Sequence, residues 1–156
     1  MVVDISKGTH IKSYPNNIAS MNGNYGHVYN IVLGKNTDNG ELATRGDYIS
    51  YDQYEQGAVT ANAVEVTIRE LMADNTWLVE VTKLPAVEVL YLYNSPVSEY
   101  QEKQLQAEEL MYNKAGEVCQ GGTLILGDKY TLSNAAFTGT ASVGATAKYA
   151  SGKYVI

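Results

Sequence analysis

Apolar and polar residues alternate most clearly between Val64 and Thr82. Val64, Val66 and Ile68 are interleaved with Glu65, Thr67 and Arg69, a period of two that predicts a half-buried strand. Ala73-Asp74-Asn75 supplies turn formers, and Trp77, Val79 and Val81 then alternate with Leu78, Glu80 and Thr82. The two segments therefore predict an antiparallel hairpin with one buried face. Val87 to Tyr93 is a third apolar run, ended by Asn94-Ser95-Pro96. Upstream, Val28 to Leu33 reads as a strand and Asp38-Asn39-Gly40 as a turn. Arg45-Gly46-Asp47 reads as a second turn before a short strand at Tyr48-Ile49-Ser50. Downstream, Thr123–Leu126 and Lys129–Leu132 flank a Gly127-Asp128 turn, and Lys153–Ile156 predicts a last strand. Only residues 98–111 have helical character, with good helix formers and a partial apolar stripe at Leu105, Leu110 and Met111.

The first 27 residues differ from the rest. Lys7-Gly8, Tyr14-Pro15-Asn16-Asn17 and Asn22-Gly23-Asn24-Tyr25-Gly26 are turn and loop formers. Apolar residues among them are isolated, too sparse for an independent core but spaced as anchors for a partner. The expected organisation is an N-terminal arm over 1–27 and a β-rich domain over 28–156. The expected fold class is mostly β: a compact antiparallel β-sandwich or barrel with an extended N-terminal arm and at most one short helix. Ile5, Ile11, Tyr14 and Ile18 are the candidate partner-binding residues.

A length of 156 residues suffices for one domain with a core of its own, and 45% hydrophobic residues argues against wholesale disorder. The 13 tyrosines, beside one Trp and one Phe, suit strands and half-wet, half-packed surfaces. A formal net charge of −6 argues against a sequence-independent nucleic-acid binder and against attachment to anionic membranes. The first ten residues lack the apolar stretch of a secretion signal, and no run of about 18 apolar residues exists to span a bilayer. Synthesis in a cytoplasm is the expectation.

Candidate chemistry is thin. The single cysteine, Cys119, has no companions for a disulfide or a zinc site, and His10 and His27 lie far upstream of it. Arg45-Gly46-Asp47 matches an integrin-binding tripeptide, a short pattern more simply read as structural. Asp38, Asn39, Glu41, Asp47 and Asp52 do not follow the spacing of a calcium-binding loop. Glu99, Glu102, Glu108 and Glu109 contain carboxylates enough for a glycosidase pair, but nothing sets two of them across a cleft. Gly121-Gly122 belongs to no phosphate-binding pattern. The expectation is no catalytic residue, no metal and no cofactor. One internal echo stands out: an apolar residue, a Gly-Asp step and an aromatic strand occur at 42–50 and again at 124–133, which the commonness of Gly-Asp turns between strands explains, with two similar corners of one β fold as the alternative.

The order of these features carries a resemblance. Asn39-Gly40-Glu41-Leu42 and Arg45-Gly46-Asp47-Tyr48 follow the N-terminal segment, and the central hairpin leads to Val87-Glu88-Val89-Leu90-Tyr91-Leu92-Tyr93-Asn94-Ser95-Pro96. Then come Met111-Tyr112-Asn113-Lys114-Ala115-Gly116-Glu117-Val118, Gly127-Asp128-Lys129-Tyr130-Thr131-Leu132-Ser133 and Gly152-Lys153-Tyr154-Val155. Over residues 28–156 the chain resembles the capsid decoration, or cement, proteins of tailed-phage heads. The resemblance implies a virion protein on the capsid exterior, made in the host cytoplasm, with the major capsid protein and copies of itself as partners. No catalytic residue is implied. Other phage structural components (a head-fibre base, a connector, a tail protein) and an extracellular-type binding module share the same texture.

Overall fold

The computed structural model describes residues 1–6, 8–23, 27–95 and 108–156. Among them the chain forms β1 (Val2–Val3), β2 (Ser13–Asn17), β3 (Val28–Val32), β4 (Leu42–Ser50), β5 (Gln53–Gly57), β6 (Glu65–Leu71), β7 (Trp77–Lys83) and β8 (Leu90–Tyr93). They are followed by β9 (Met111–Tyr112), β10 (Val118–Thr123), β11 (Lys129–Leu132), β12 (Phe137–Thr138), β13 (Thr146–Ala150) and β14 (Lys153–Val155). The protein is mostly β, as expected. Five strands close into a barrel in the order β10-β3-β5-β4-β8, with β8 returning to β10. Seven form a second sheet, β12-β14-β13-β6-β7-β11-β2, and β1 pairs with β9 as a separate ribbon. Pairing is antiparallel except between β3 and β5 and between β12 and β14.

The hairpin predicted around Ala73-Asp74-Asn75 is β6 and β7, the centre of the larger sheet. Its turn is held by the Asp74 side chain, which accepts from the Thr76 amide at 3.2 Å and the Thr76 hydroxyl at 2.6 Å. Val66 lies opposite Val81 and Ile68 opposite Val79, and all four are fully buried. Trp77 packs at the margin of the same core, its indole N–H on Asn134. On the other face Arg69 meets Glu80 through both Nε and a terminal nitrogen, at 2.8 and 2.6 Å. Period-two patterning thus becomes an inner apolar face and an outer charged one.

Two hydrophobic cores share one wall. Ile31, Leu33, Ala43, Leu90, Leu92 and Cys119 fill the barrel. The larger core, between barrel and sheet, takes Leu42 and Tyr91 from the same strands. Because successive residues of a strand point to opposite faces, β8 sends Leu90 and Leu92 one way and Tyr91 the other. This is why residues 90–92 form an unbroken apolar run rather than an alternating one.

Two expectations are corrected, and one alternative is set aside. The described residues of the 1–27 segment do not form a separate arm. Ile11 and Ile18 are 1% and 0% exposed in the main core, β2 is the edge strand beside β11, and β1 is paired with β9. Arg45-Gly46-Asp47 is not a turn but the middle of β4, and the chain reverses instead at Tyr51-Asp52. The echo between 42–50 and 124–133 is not structural, since Gly46 lies within a strand while Gly127 sits in a turn at φ +93. The expected helical stretch lies mostly outside the described residues, and Glu108–Leu110 forms a single 3-10 turn.

Candidate functional site

The end of the barrel where β4 and β5 meet is not filled by aliphatic side chains. Tyr29 lies opposite Gly121, and Tyr54 opposite Ile31, and both rings pack, partly buried, against the barrel core and so mark its mouth. They meet edge-on, 5.5 Å apart and at 86°. Tyr48, opposite Tyr54 on β4, adds a third ring at 5.5 Å. The Arg45 guanidinium lies 4.6 Å from the Tyr29 ring centre and 5.1 Å from that of Tyr54. Stacking on two π faces orients a side chain that would otherwise sample many rotamers, each contact contributing about 0.5–1 kcal/mol at an exposed site. The mouth is therefore a preformed surface of tyrosine and arginine.

Beyond the mouth, the β4–β5 hairpin presents its tip. Tyr51 and Asp52 form the two-residue connection between Ser50 and Gln53, and both have positive φ, 46° and 60°. Two-residue hairpin turns of this hand favour Asn-Gly because a side chain there crowds the backbone. Here a tyrosine occupies the first position, 91% exposed, flanked by Tyr48 at 62% and Ile49 at 45%. The strand carrying them is closely drawn to its partner. A Cβ on Gly46 would stand 2.6 Å from the Glu55 carbonyl oxygen, so only glycine fits where β4 bulges against β5.

The four residues expected from sequence are not brought into one surface. Ile11 and Ile18 are core residues. Ile5 is 94% exposed just after β1, and Tyr14 is 37% exposed on the edge strand β2 with the Lys12 ammonium 5.8 Å from its ring. The sequence pattern does not single out Arg45, Tyr48, Ile49 and Tyr51, which the structure places on the β4–β5 hairpin. The available signal was Tyr48-Ile49-Ser50-Tyr51, where alternation fails and three large side chains fall within four positions.

Groups with chemical potential are otherwise engaged. Both ring nitrogens of His10 are taken by carboxylates, Nε2 by Asp4 at 2.6 Å and Nδ1 by Asp38 at 2.7 Å, leaving neither free to activate a nucleophile. Cys119 is inside the barrel, its thiol pushed up to about 12 by burial. Glu99 and Glu102 lie outside the described residues. Glu108 is buried, accepting from the Ser13 amide and the Asn39 side chain. Asn39 is a wholly buried hub that also bonds the backbone of Asn94 on both sides and the Asn113 amide. Asp47 and Asp52 are exposed on the hairpin, apart from Asp38. No cluster of three or more His, Cys, Asp or Glu suited to a metal ion occurs among the described residues. A cleft of about 380 Å³ opens between barrel and sheet beside Gly34, Gln56, Val59 and Tyr149. Gln56 already bonds Gly34 and Thr37, and the Tyr149 hydroxyl already bonds both backbone groups of Leu42. Among the described residues no helix is long and apolar enough to cross a membrane.

Comparison with protein-family models, with curated proteins and with solved structures gives no match for this chain.

Proposed function

We propose that this chain is a structural virion protein that binds the outside of a phage capsid and stabilises contacts between major capsid subunits, with the β4–β5 hairpin as its docking element. The sequence resemblance to decoration proteins motivates the capsid. The observation that carries the docking element is Tyr51, an aromatic side chain 91% exposed on a backbone conformation that disfavours it. Asparagine or glycine would relieve the strain and remove an apolar ring from water, so the residue is best understood by what it touches outside the chain. Tyrosine and arginine are among the side chains that most often anchor protein interfaces, and here Tyr29, Arg45, Tyr48 and Tyr54 are clustered on the barrel, with Tyr51 at the tip of the same hairpin as Arg45, Tyr48 and Tyr54. A hairpin presents less than the roughly 800 Å² per partner of a standard interface. On a lattice, adjacent copies that also touch one another compensate through avidity.

The test is co-sedimentation of the purified chain with undecorated capsids of the phage that encodes it. Full-length protein should pellet with the shells. Tyr51→Ala and Tyr48→Ala, verified as folded by circular dichroism, should each bind at least about tenfold more weakly, the loss of roughly 1.4 kcal/mol expected for an interface anchor. Failure of the unmodified chain to pellet with capsids would reject the capsid as partner. Full binding by both variants would place the interface elsewhere.

A further inference from the structure

We propose that Asp4, His10 and Asp38 form a protonation-operated latch that fastens the N-terminal strand β1 to the body of the fold. The imidazole lies between two carboxylates, 2.6 Å from Asp4 Oδ2 and 2.7 Å from Asp38 Oδ1, and its ring stacks on Tyr112 of β9 at 5.2 Å. A neutral imidazole has one N–H. In this arrangement its other nitrogen would direct a lone pair at a carboxylate within hydrogen-bonding distance. Only the imidazolium can donate to both, and the pair of bonds is then charge-assisted.

The Asp4 carboxylate is built to stay ionised. Asp4 also accepts from the Ser6 hydroxyl and amide, and these bonds, with His10, hold its carboxyl at about 2. Asp38 accepts from the Ile11 amide at 3.1 Å through its second oxygen. Beside the latch the Glu109 carbonyl accepts the His10 backbone amide at 2.8 Å, and the Glu41 carboxyl accepts the Asp38 backbone amide at 2.6 Å. His10 carries the proton that closes the latch, and Glu41, pushed up to about 7 by burial, carries another beside Asp38.

What it fastens is weakly held otherwise. β1 is two residues long, paired only with the two residues of β9. Just after it, the Asp4 amide bonds the Leu110 carbonyl at 2.8 Å, the one further backbone bond of the segment among the described residues, and the amino group of Met1 meets Glu117 at 3.1 Å. A ribbon this short is not stable by itself in water. The latch joins its end to the loop before β4, which Asn39 anchors in the interior.

The sign follows from the two protonation states. Burial alone would lower the His10 pKa, but hydrogen bonds and charge from Asp4 and Asp38 outweigh it, and the net shift is upward from 6.5. A raised value in the folded state means that the latch is fully closed below 6.5 and opens as pH rises through the raised value. Opening frees Val2 to Ile5 and uncovers β9. The inference is independent of the capsid reading.

Hydrogen exchange followed by NMR on the full chain tests it. The Asp4 amide is compared with the Tyr149 amide, which bonds Val64 in the core and reports global opening. From about pH 5 to about pH 9, the protection of Asp4 relative to Tyr149 should fall at least about tenfold, with the midpoint of the His10 ring titration. Asp38→Asn should move both midpoints to lower pH together. His10→Gln should remove the step and leave Asp4 weakly protected throughout. A flat ratio in the unmodified chain, or a step that persists in His10→Gln, would overturn the latch. Should His10→Gln not fold, Asp38→Asn decides: an unmoved loosening midpoint rejects the proposal.

Discussion

Tyr130 donates its hydroxyl proton to the hydroxyl of Tyr154, 2.9 Å away, at the centre of the main core. The direction is forced, because Tyr154 spends its own proton on the Gly40 carbonyl at 2.7 Å. Two phenols with no exposed surface are satisfied in series, ending on the loop before β4. Tyr154→Phe removes the middle of the chain, leaving the Gly40 carbonyl without a donor and Tyr130 without an acceptor. The expected cost is about 1–3 kcal/mol. Tyr130→Phe strips only one donor from Tyr154 and should cost less, about 1 kcal/mol. Urea denaturation of the two variants checks the order, and an equal or reversed cost contradicts the donor direction.

Two buried carboxyls set a pH dependence of stability. Burial pushes Glu41 up to about 7 and the charge of Asp38 adds to it, against the opposing Asp38 amide and the positive charges of Lys35 and Lys153. Burial also raises Glu108, against its bonds from Asn39 and Ser13. One oxygen of Glu108, like the Asn113 side-chain oxygen, has no donor in good hydrogen-bond geometry among the described residues, the Tyr14 hydroxyl being the nearby group that favours its charged form. Raised carboxyls contribute stability that is complete below their ordinary 4.5 and is lost as pH rises through the folded value. For Glu41 a rise from 4.5 to about 7 corresponds to about 3 kcal/mol. The protein should therefore melt higher near about pH 5 than near about pH 8. Glu108→Gln, which supplies an N–H in place of the orphan oxygen, should stabilise at the higher pH and do little at the lower. Thermal melts at the two values decide, and a penalty from Glu108→Gln at both would show that the carboxylate itself is required.

Much of the β core was readable because it obeys local rules. Val64 to Thr82 alternates cleanly, and its turn contains Asp74-Asn75. The rest was hidden where local and tertiary preferences conflict. Gly46-Asp47 has better turn chemistry than Tyr51-Asp52, yet the chain turns at the latter, where the local pattern announces no turn. Ile11 and Ile18 stand among turn formers with no periodic neighbours. Their burial depends on β2 pairing with β11, far along the chain, which no local pattern encodes. The clustering of Tyr29, Arg45 and Tyr54 likewise requires a parallel β3–β5 pair, and nothing in the spacing of those residues announces one.

The N-terminal segment yields a direct stability test. Ile18 is fully buried, and its neighbourhood is fixed by the Ala19 amide bonding Asp128 at 3.1 Å. Ile18→Ala should cost about 2–5 kcal/mol, a large part of the roughly 5–15 kcal/mol that domains possess. Deleting residues 2–20 removes Ile11, Ile18, β1 and the edge strand together and should abolish soluble folding. An arm that only docks on a partner would behave oppositely, leaving a folded domain after deletion. Circular dichroism and melting of both variants separate the two.

The hairpin tip offers a test in which stability and binding move in opposite directions. Tyr51 and Asp52 hold left-handed backbone without being glycine. Replacing them by Asn and Gly places the preferred residues at both positions and should stabilise the fold by roughly 1 kcal/mol, raising the melting temperature by about 2–4 °C. Arg45, Tyr48 and the stacked mouth are untouched. If the tyrosine is retained for docking, the same double variant should bind capsids at least about tenfold more weakly. Calorimetry and co-sedimentation on one preparation read both signs. A gain in stability with binding unchanged would leave the strain at Tyr51 without a role in docking, and would shift attention to Tyr48 and Arg45 at the barrel mouth.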